Sequence, residues 1–265
     1  MRQLEAWLGV QLFRRGGRGV ALTREGAYFL REIGGGLDRL SAASRALRSQ
    51  HRNADSLSIG VSTALATFWL LPRLGGFRQR HPGVSLSLAT GHRPLDLVGE
   101  GIGLAVRHDD ALPSNCESWP LFAEEVFPVA APEYRPAQGL DSISLEGCCL
   151  IDTREPHHPH WTWREWLRRQ DLTLPRAHSS LSLDDHALAL QAALAGQGIC
   201  LAWRHLCGDL LAAGRLIQIG DRRLITGKHY HLVMPSRPQV NAATLLLRDW
   251  ILAQAKQTSG RASAT

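Results

Sequence analysis

The sequence predicts an α/β protein that consists of a small basic head, a long linker helix and a larger α/β body. Three observations support this. Arginines crowd into the first fifth of the chain, an apolar seam with heptad spacing follows them, and from residue 57 onward strand patterns alternate with helix patterns. Alternation of this kind is typical of α/β folds with mostly parallel sheets.

The start of the chain predicts a helix followed by a β-hairpin. An apolar stripe at helical spacing indicates a helix over residues 2–9, which Gly9 ends as a C-cap glycine. Two short apolar runs, residues 10–13 and 20–22, flank a basic, glycine-rich turn. Two short strands around such a turn predict a β-wing.

A long helix is predicted next, with Thr23 as its N-cap. From residue 30 the apolar positions recur at steps of three and four, which is the seam pattern of a coiled coil. The seam positions are Leu30, Ile33, Leu37, Leu40, Ser44 and Leu47. Glycines 34–36 weaken a lone helix by about 1 kcal/mol each, so we interpret the segment as a dimerisation helix. The alternative is a surface helix packed on its own domain.

The body alternates strands and helices after a polar linker at residues 49–56. Strands are predicted at residues 57–61, 84–88, 102–106, 125–130, 148–151, 199–203 and 229–234. Helices are predicted at residues 65–80, 163–170, 183–195 and 243–255, with Pro72 near the first turn of the first one. Ligands of such sheets bind at the carboxyl ends of the strands.

The charge distribution indicates that one end of the chain contacts phosphate groups. The formal net charge is +6, and residues 1–52 hold ten arginines against four acidic residues. The first fifth therefore supplies a positive balance equal to that of the whole chain, while the body is nearly neutral. A basic terminal module of this kind is typical of nucleic-acid binding.

Composition places the chain among globular proteins, since 44% of its residues are apolar and 20% are charged. Its apolar runs fall short of the roughly 20 residues that a membrane helix needs. Residues 1–5 lack the apolar region of a signal peptide. We therefore expect a cytoplasmic protein that does not insert into a membrane.

The five cysteines are spaced unlike a zinc site, and we expect them to be reduced, small apolar side chains. His157, His158 and His160 form a histidine-rich stretch, but adjacent histidines beside a proline rarely face one ion. We expect neither a metal nor another cofactor. The motifs of a serine hydrolase elbow, a P-loop and a zinc protease are missing from the sequence, so we do not expect an enzyme.

The head sequence resembles that of LysR-type transcriptional regulators. Residues 2–26 match the pattern R-Q-L-E-x-x-L-G-V-x-L-F-x-R-x-x-R-x-V-x-L-T-x-x-G. Residues 57–61, 69–74 and 77–82 are similar to the opening of that family's effector domain, and residues 188–198 to its second subdomain, in a branch similar to the glycine-cleavage regulator. The resemblance implies a winged helix-turn-helix head, a linker helix and an effector domain with the periplasmic-binding-protein type II fold.

The resemblance also implies domain bounds and assembly. We expect a partial DNA-binding head at residues 1–24, a linker and hinge at 25–55, and a two-lobed effector domain at 56–256. Lobe I would comprise about 56–140 and 232–256, and lobe II about 141–231. The family forms homodimers or homotetramers, which we expect here too.

The sequence departs from the family pattern at two points. Met1 stands inside what would be the recognition helix, whose N-terminal residues read base edges. We therefore expect this 265-residue chain to bind operator DNA poorly, and tight, sequence-specific binding in a gel-shift assay would contradict that. The second departure is Gly103, which replaces the aspartate of the family's I-D-x-A-x-R stretch.

The resemblance nominates DNA-contacting residues in the head. Arg2 and Gln3 would lie on the recognition helix near the groove. Arg14, Arg15 and Arg18 on the wing would contact phosphates, and Thr23 would offer a hydroxyl at the next helix start. The alternative for the wing is a solvated basic turn.

The candidate effector site is the cleft at the carboxyl ends of the strands. The residues placed there are Ser62, Thr63, Thr90, His92, Arg107, Asp152, Thr153, Asp184 and Asp185. Arg107 could pair with a ligand carboxylate, or it could serve a structural salt bridge. Thr63 and Asp184 could instead be helix N-caps.

We therefore expect a transcription factor that responds to a small molecule. A ligand in the cleft would change the angle between the lobes and, through the linker helix, the spacing of two heads. The alternative is a free-standing small-molecule-binding protein without DNA binding, against which the basic head argues.

Overall fold

The computed structural model describes residues 2–16, 19–30, 32–33, 56–91, 96–134, 145–154, 161–175, 178–236 and 241–262. These residues belong to two compact units. The first comprises Met1–Asn53 and Val98–Gly101, and the second comprises Ala54–Leu97 and Ile102–Thr265.

The described part of the first unit holds two helices and a β-hairpin. Their bounds are α1 Arg2–Leu8, β1 Phe13–Gly16, β2 Gly19–Leu22 and α2 residues 24–30. β1 and β2 pair antiparallel, and Gly9 follows α1 with a φ of 69°. The predicted helix and hairpin are confirmed, but the first strand begins three residues later than the apolar run 10–13 indicated.

The first strand begins late because other contacts hold the chain before it. Glu5 Oε1 accepts hydrogen bonds from the backbone N–H groups of Leu12 and Phe13, at 2.8 and 3.1 Å. The Leu12 side chain is buried, and its carbonyl oxygen accepts a hydrogen bond from the Thr23 N–H at 2.9 Å. The apolar run thus anchors the turn between α1 and the hairpin.

Thr23 caps α2 as predicted. Its Oγ1 accepts a hydrogen bond from the Gly26 N–H at 2.9 Å and donates one to the Gln11 carbonyl at 2.7 Å. A Cβ at Gly26 would lie 2.0 Å from the Leu12 carbonyl oxygen, so only glycine fits at this position.

Only the first part of the predicted dimerisation helix, up to residue 33, is among the described residues. Leu30 and Ile33, its first two seam positions, are exposed. The other four seam positions, Leu37, Leu40, Ser44 and Leu47, lie outside the described residues. So does the linker at residues 49–56, except Ser56, which begins the next strand.

The second unit is an α/β domain. Its strands are β3 Ser56–Val61, β4 Ser85–Thr90, β5 Leu104–His108, β6 Cys116–Ala130, β7 Cys149–Thr153, β8 Ser179–Leu183, β9 Ile199–Trp203, β10 Ile217–Gln218 and β11 Leu224–Pro235. Its helices are α3 Thr63–Leu65, a π-helical turn Ala66–Leu70, α4 Leu71–Arg80, a 3₁₀ turn Asp109–Ala111, α5 Trp163–Arg169, α6 His186–Leu194, α7 Arg204–Ala212 and α8 Ala242–Ala262.

The strands form one sheet in the order β4-β3-β5-β11-β6-β9-β7-β8, and β10 pairs with β6. We call β4, β3 and β5 the first block and β9, β7 and β8 the second block; the pairings within each block are parallel. The crossover strands β6 and β11 join the blocks and pair antiparallel with each other and with their neighbours. The sheet is therefore mixed, where a mostly parallel sheet was expected.

The antiparallel centre follows from the path of the chain. β6 leads out of the first block into the second, and β11 leads back, so the two strands run in opposite directions side by side. β6 has 15 residues, many more than the predicted run 125–130, because it reaches both blocks. Exposed and half-buried residues in its first half hid this extension from the sequence.

A continuous apolar core lies under both blocks. Its largest fully buried side chains include Trp69, Phe77, Phe127, Trp163 and Trp166. α8 packs on β3, β6 and α4, and Thr258 Oγ1 on that helix accepts a hydrogen bond from the Trp69 indole at 3.1 Å. None of the helices in the described part of the chain is both long and apolar enough to cross a membrane.

Four elements differ from the predictions. The helix expected at residues 65–80 starts at Thr63 and passes through the π-helical turn, with Pro72 in the first turn of α4. β8 and α7 were missed; β8 is an edge strand, and α7 follows β9 without a break in the sequence pattern. α6 starts three residues later than expected because Leu183 ends β8.

Candidate functional site

The first group of predicted site residues lies at the carboxyl end of the first block. Ser62 is the N-cap of α3, and its Oγ accepts a hydrogen bond from the Leu65 N–H at 3.2 Å. Thr63 begins the helix, and Thr90 ends β4 directly beside Val61, the last residue of β3. His92 lies outside the described residues. The structure thus brings three hydroxyl groups to one edge of the sheet.

The second group lies at the carboxyl end of the second block. Asp152 Oδ1 accepts a hydrogen bond from the Trp163 N–H at 3.3 Å, and Thr153 is buried. Asp185 is the N-cap of α6 and is also buried, and its Oδ1 accepts a hydrogen bond from the Ala187 N–H at 2.6 Å. Asp184 is exposed. The cap role considered for Asp184 therefore belongs to its neighbour.

Helix packing brings the two groups together. α3 packs against α6, so the helix that Ser62 caps meets the helix that Asp185 caps. The two helices follow β3 and β8, which belong to opposite blocks. The N-terminal ends of the two helices therefore lie at the carboxyl ends of the two blocks, where the cleft was expected.

Arg107 lies one residue before the end of β5, the strand that pairs with β3. Its Nη1 donates a hydrogen bond to the Val106 carbonyl at 3.0 Å. Burial raises the pKa of the Cys116 thiol, and the positive charge of Arg107 acts in the opposite direction. Because side chains alternate along a strand, Arg107 and the next residue, His108, point to opposite faces of β5. Arg107 therefore lies near the carboxyl end of its strand, as expected, and its role as an effector ligand stays a prediction.

A buried polar cluster at the crossover strands was missed by the sequence analysis. At its centre is Glu124 on β6, which is 2% exposed. Its Oε1 accepts hydrogen bonds from the indole N–H groups of Trp161 and Trp203, both at 3.3 Å. Its Oε2 accepts a hydrogen bond from the Thr226 hydroxyl at 2.6 Å and lies 3.5 Å from His108 Nε2. We call these five residues the Glu124 cluster.

Hydrogen bonding keeps the Glu124 carboxyl ionised. Burial raises its pKa, but the close contact with His108 and the hydrogen bonds from Thr226 and Trp203 outweigh burial, and the pKa falls to about 2. A buried carboxylate that keeps its charge depends on every one of these donors.

Two further buried histidines border the cluster. His205 stacks on Phe122 at 4.8 Å, and His186 meets the edge of Trp203 at 4.7 Å. Burial lowers the pKa of His205 to about 3 and that of His186 to about 4. Both rings are therefore neutral at physiological pH and pack as aromatic side chains.

In the head, the structure places part of the predicted DNA-contacting set. Gln3 on α1 and Arg14 on β1 are exposed. Arg2 lies in α1 and Arg15 in β1, but their side chains, like the whole of Arg18, lie outside the described part of the structure. Thr23 is engaged in its cap. An apolar groove of about 370 Å³ beside α2 is lined by Leu8, Val10, Leu12, Arg24, Glu25, Tyr28 and Phe29.

Within the described residues, the cysteines and candidate metal ligands add no second site. All five cysteines are free, with Cys200 and Cys207 buried, and burial raises the pKa of both thiols. Among the described residues, no group of three or more His, Cys, Asp or Glu side chains is arranged to hold a metal ion. The histidine-rich stretch 157–160 lies outside them.

Comparison with protein families accounts for both units. The LysR substrate binding domain family matches residues 50–256, and the bacterial regulatory helix-turn-helix family of lysR type matches residues 1–27. The chain belongs to the LysR family of transcriptional regulators, in which a DNA-binding head is joined to an effector-binding domain. The match at the head leaves a free-standing sensor without support.

Curated relatives agree with this family. The chain is 32% identical to the HTH-type transcriptional regulator DsdC of Escherichia coli over 98% of this chain and 84% of that protein. It is 26% identical to the glycine cleavage system transcriptional activator of the same species, over 96% of this chain and 83% of that protein.

Solved structures agree on the fold. The effector domain of the regulator AmpR of Pseudomonas aeruginosa superposes with a TM-score of 0.62 at 26% identity, covering 78% of this chain and 99% of that one. CrgA of Neisseria meningitidis, a LysR-type regulator, superposes with a TM-score of 0.59 at 22% identity, covering 96% of this chain and 87% of that one. The second unit thus has the two-lobed fold of LysR effector domains.

Proposed function

We propose that this regulator binds a small molecule carrying N–H or O–H donors at the carboxyl ends of its two strand blocks. The packing of α3 against α6 supports this proposal, because it brings the helix that Ser62 caps next to the helix that Asp185 caps. Hydroxyl and carboxylate oxygens accept hydrogen bonds, so amines, amides and alcohols suit this lining.

The bound molecule would act by changing the angle between the blocks. A ligand can shift such an equilibrium only if it binds one arrangement more tightly than the other. A molecule that touches both α3 and α6 has that property, since its contacts depend on their separation. The change would reach the DNA-binding head in a homodimer or homotetramer working in the cytoplasm, as a regulator and not as an enzyme.

Ligand binding is tested by thermal shift with amino acids as probes. The relative named for the glycine cleavage system makes glycine the first probe, and serine and alanine complete the set. A ligand at 100 times its Kd stabilises the folded state by about 2.7 kcal/mol. We expect the shift to disappear in Asp184→Asn and to persist in Asp249→Asn, a matched change at an exposed position on α8. A shift that is equal in both variants would contradict the proposed site.

DNA binding and assembly are tested separately. Fluorescence anisotropy with the DNA upstream of the gene, compared with an unrelated duplex of equal length, measures specificity. Light scattering after size exclusion measures the oligomeric state. A monomer that retains specific DNA binding would contradict the proposed coupling between two heads.

A further inference from the structure

Glu124 lies where the pairing of the crossover strands is interrupted. Ile225 on β11 faces Glu125, yet the next paired residue, His229, faces Ala123, so three residues of β11 bulge opposite Glu124. Gly227 in this bulge has a φ of 80°. A bulge breaks ladder hydrogen bonds and lets strands bend, so backbone pairing alone leaves this point between the blocks weakly held.

The Glu124 cluster joins both blocks at this weak point. His108 ends β5 of the first block, and Trp203 ends β9 of the second. Trp161 precedes α5, and Thr226 lies in the bulge itself. One carboxylate thus receives donors from both blocks and from the strand between them.

The orientation of His108 follows from its second contact. Its Nδ1 accepts a hydrogen bond from the Asp110 N–H at 3.4 Å, so the ring proton of the neutral form sits on Nε2, toward Glu124. The Asp110 carboxylate pairs with Nζ of Lys228, the last residue of the bulge, at 2.6 Å. The first and last residues of the bulge, Thr226 and Lys228, therefore bond to Glu124 and Asp110, the two residues that contact His108.

Moving these donors away from the Glu124 carboxylate costs a large amount of free energy. At 2% exposure the carboxylate has almost no contact with water, and a buried charge that loses a donor keeps its desolvation penalty without the compensation. A change of angle that withdraws His108 from Trp203 must therefore weaken the cluster. The cluster favours one angle.

We propose that Glu124 is a positioning residue of the effector response, whose carboxylate holds the two blocks at one angle until an effector shifts them. This inference rests on the proposed function, since it assumes that the angle carries the signal. Glu124 itself need not touch the effector. Its role is to set the angle between the blocks that effector binding then changes.

The test compares Glu124→Gln with Glu125→Gln. The glutamine oxygen can still accept the two indole N–H groups, but its NH₂ group cannot accept from Thr226 or His108. Glu125 is the neighbouring residue; its carboxylate pairs with Arg204 at 2.6 Å, and the variant removes the same charge. Each variant is made in the full chain.

The angle is measured as a distance between two spin labels by pulsed electron paramagnetic resonance. One label replaces Gln79 on α4 beside the first block, and the other replaces Gln191 on α6 beside the second; both side chains are exposed. The three half-buried cysteines are first replaced by alanine, at Cys116, Cys148 and Cys149.

We expect Glu124→Gln to shift the mean distance by several ångströms or to broaden the distribution about twofold, and Glu125→Gln to leave it unchanged. If Glu124→Gln alters the melting temperature but its distance distribution superposes on that of the parent, its role is only structural and the proposal fails. If Glu124→Gln does not fold, Thr226→Val decides in the same way, because it removes one donor and keeps the charge.

The measurement needs no effector, so it separates the two proposals. An unchanged distance overturns the role of Glu124 and leaves small-molecule binding intact. Failure of every amino-acid probe overturns the proposed ligand class and leaves the distance result standing.

Discussion

The two buried histidines make the stability of the effector domain depend on pH. His186 and His205 are 5% and 7% exposed, and burial lowers their pKa values to about 4 and 3. In the unfolded chain both titrate near 6.5. As pH falls below 6.5 the unfolded chain therefore takes up protons that the folded chain refuses, and stability is lost.

The size of the loss follows from the difference in pKa. Each histidine costs about 1.4 kcal/mol per pH unit once the pH is well below 6.5. Between pH 7.5 and pH 5.0 that amounts to about 2 kcal/mol for each ring and about 4 kcal/mol for the pair. Because whole domains are stable by only about 5–15 kcal/mol, the effect is large.

Urea unfolding followed by tryptophan fluorescence at pH 5.0 to 8.0 measures this dependence. His205→Phe keeps a ring against Phe122 and should halve the stability that is lost between pH 7.5 and pH 5.0. Phe122→Leu is the control: it should lower stability at every pH but leave the slope of stability against pH unchanged. If His205→Phe retains the full slope, the pH dependence does not come from this ring and the reasoning is refuted.

Three further predictions concern other parts of the chain. Arg14→Gln removes an exposed cation from β1 and should lower the slope of log binding constant against log salt by about one in anisotropy titrations with duplex DNA; an unchanged slope would show that Arg14 does not contact phosphate. Thr162→Ala removes the capping box of α5 and should cost about 1 kcal/mol in urea unfolding, while an unchanged midpoint would contradict it. Gly198→Ala would place a Cβ 2.5 Å from the Cys149 carbonyl oxygen, so we expect a loss above about 2 kcal/mol by the same assay, and a stable variant would count against this packing.

Local signals predicted the elements well. Gly9 has the positive φ of a C-cap glycine, Thr23 caps α2, and Pro72 lies in the first turn of α4. Each of these depends on residues within a few positions of one another, which a sequence shows directly. The missed elements, β8 and α7, lack such punctuation at one or both ends.

The Glu124 cluster could not be predicted because its members are far apart in the chain. Trp161, Trp203 and Thr226 lie 37, 79 and 102 residues from Glu124. The sequence shows two adjacent glutamates, and nothing local indicates that one is buried and the other pairs with Arg204. Only the pairing of β6 with its neighbours decides which side chain faces inward.

The predicted effector residues lie at the strand ends that the fold class indicated, and their role in binding stays a prediction. Ser62 and Asp185 lie at the carboxyl ends of their blocks, as the fold class implied. Arg107 occupies a similar position in β5, and the alternation of side chains along the strand decides which face of the sheet it takes. A shift of one residue in a strand reverses the face, and the sequence does not fix that register.

Because α8 packs on the first block, the core of that block cannot be completed until α8 has been synthesised. β3 and α4 leave the ribosome early, but Trp250 of α8, whose ring lies 5.5 Å from that of Phe77, follows much later. At about 5–20 residues per second that delay is roughly ten to thirty seconds. The second block is contiguous in the chain, so it can close while the first still waits with Phe77 uncovered, and a nascent chain stalled before α8 would expose that surface to chaperones.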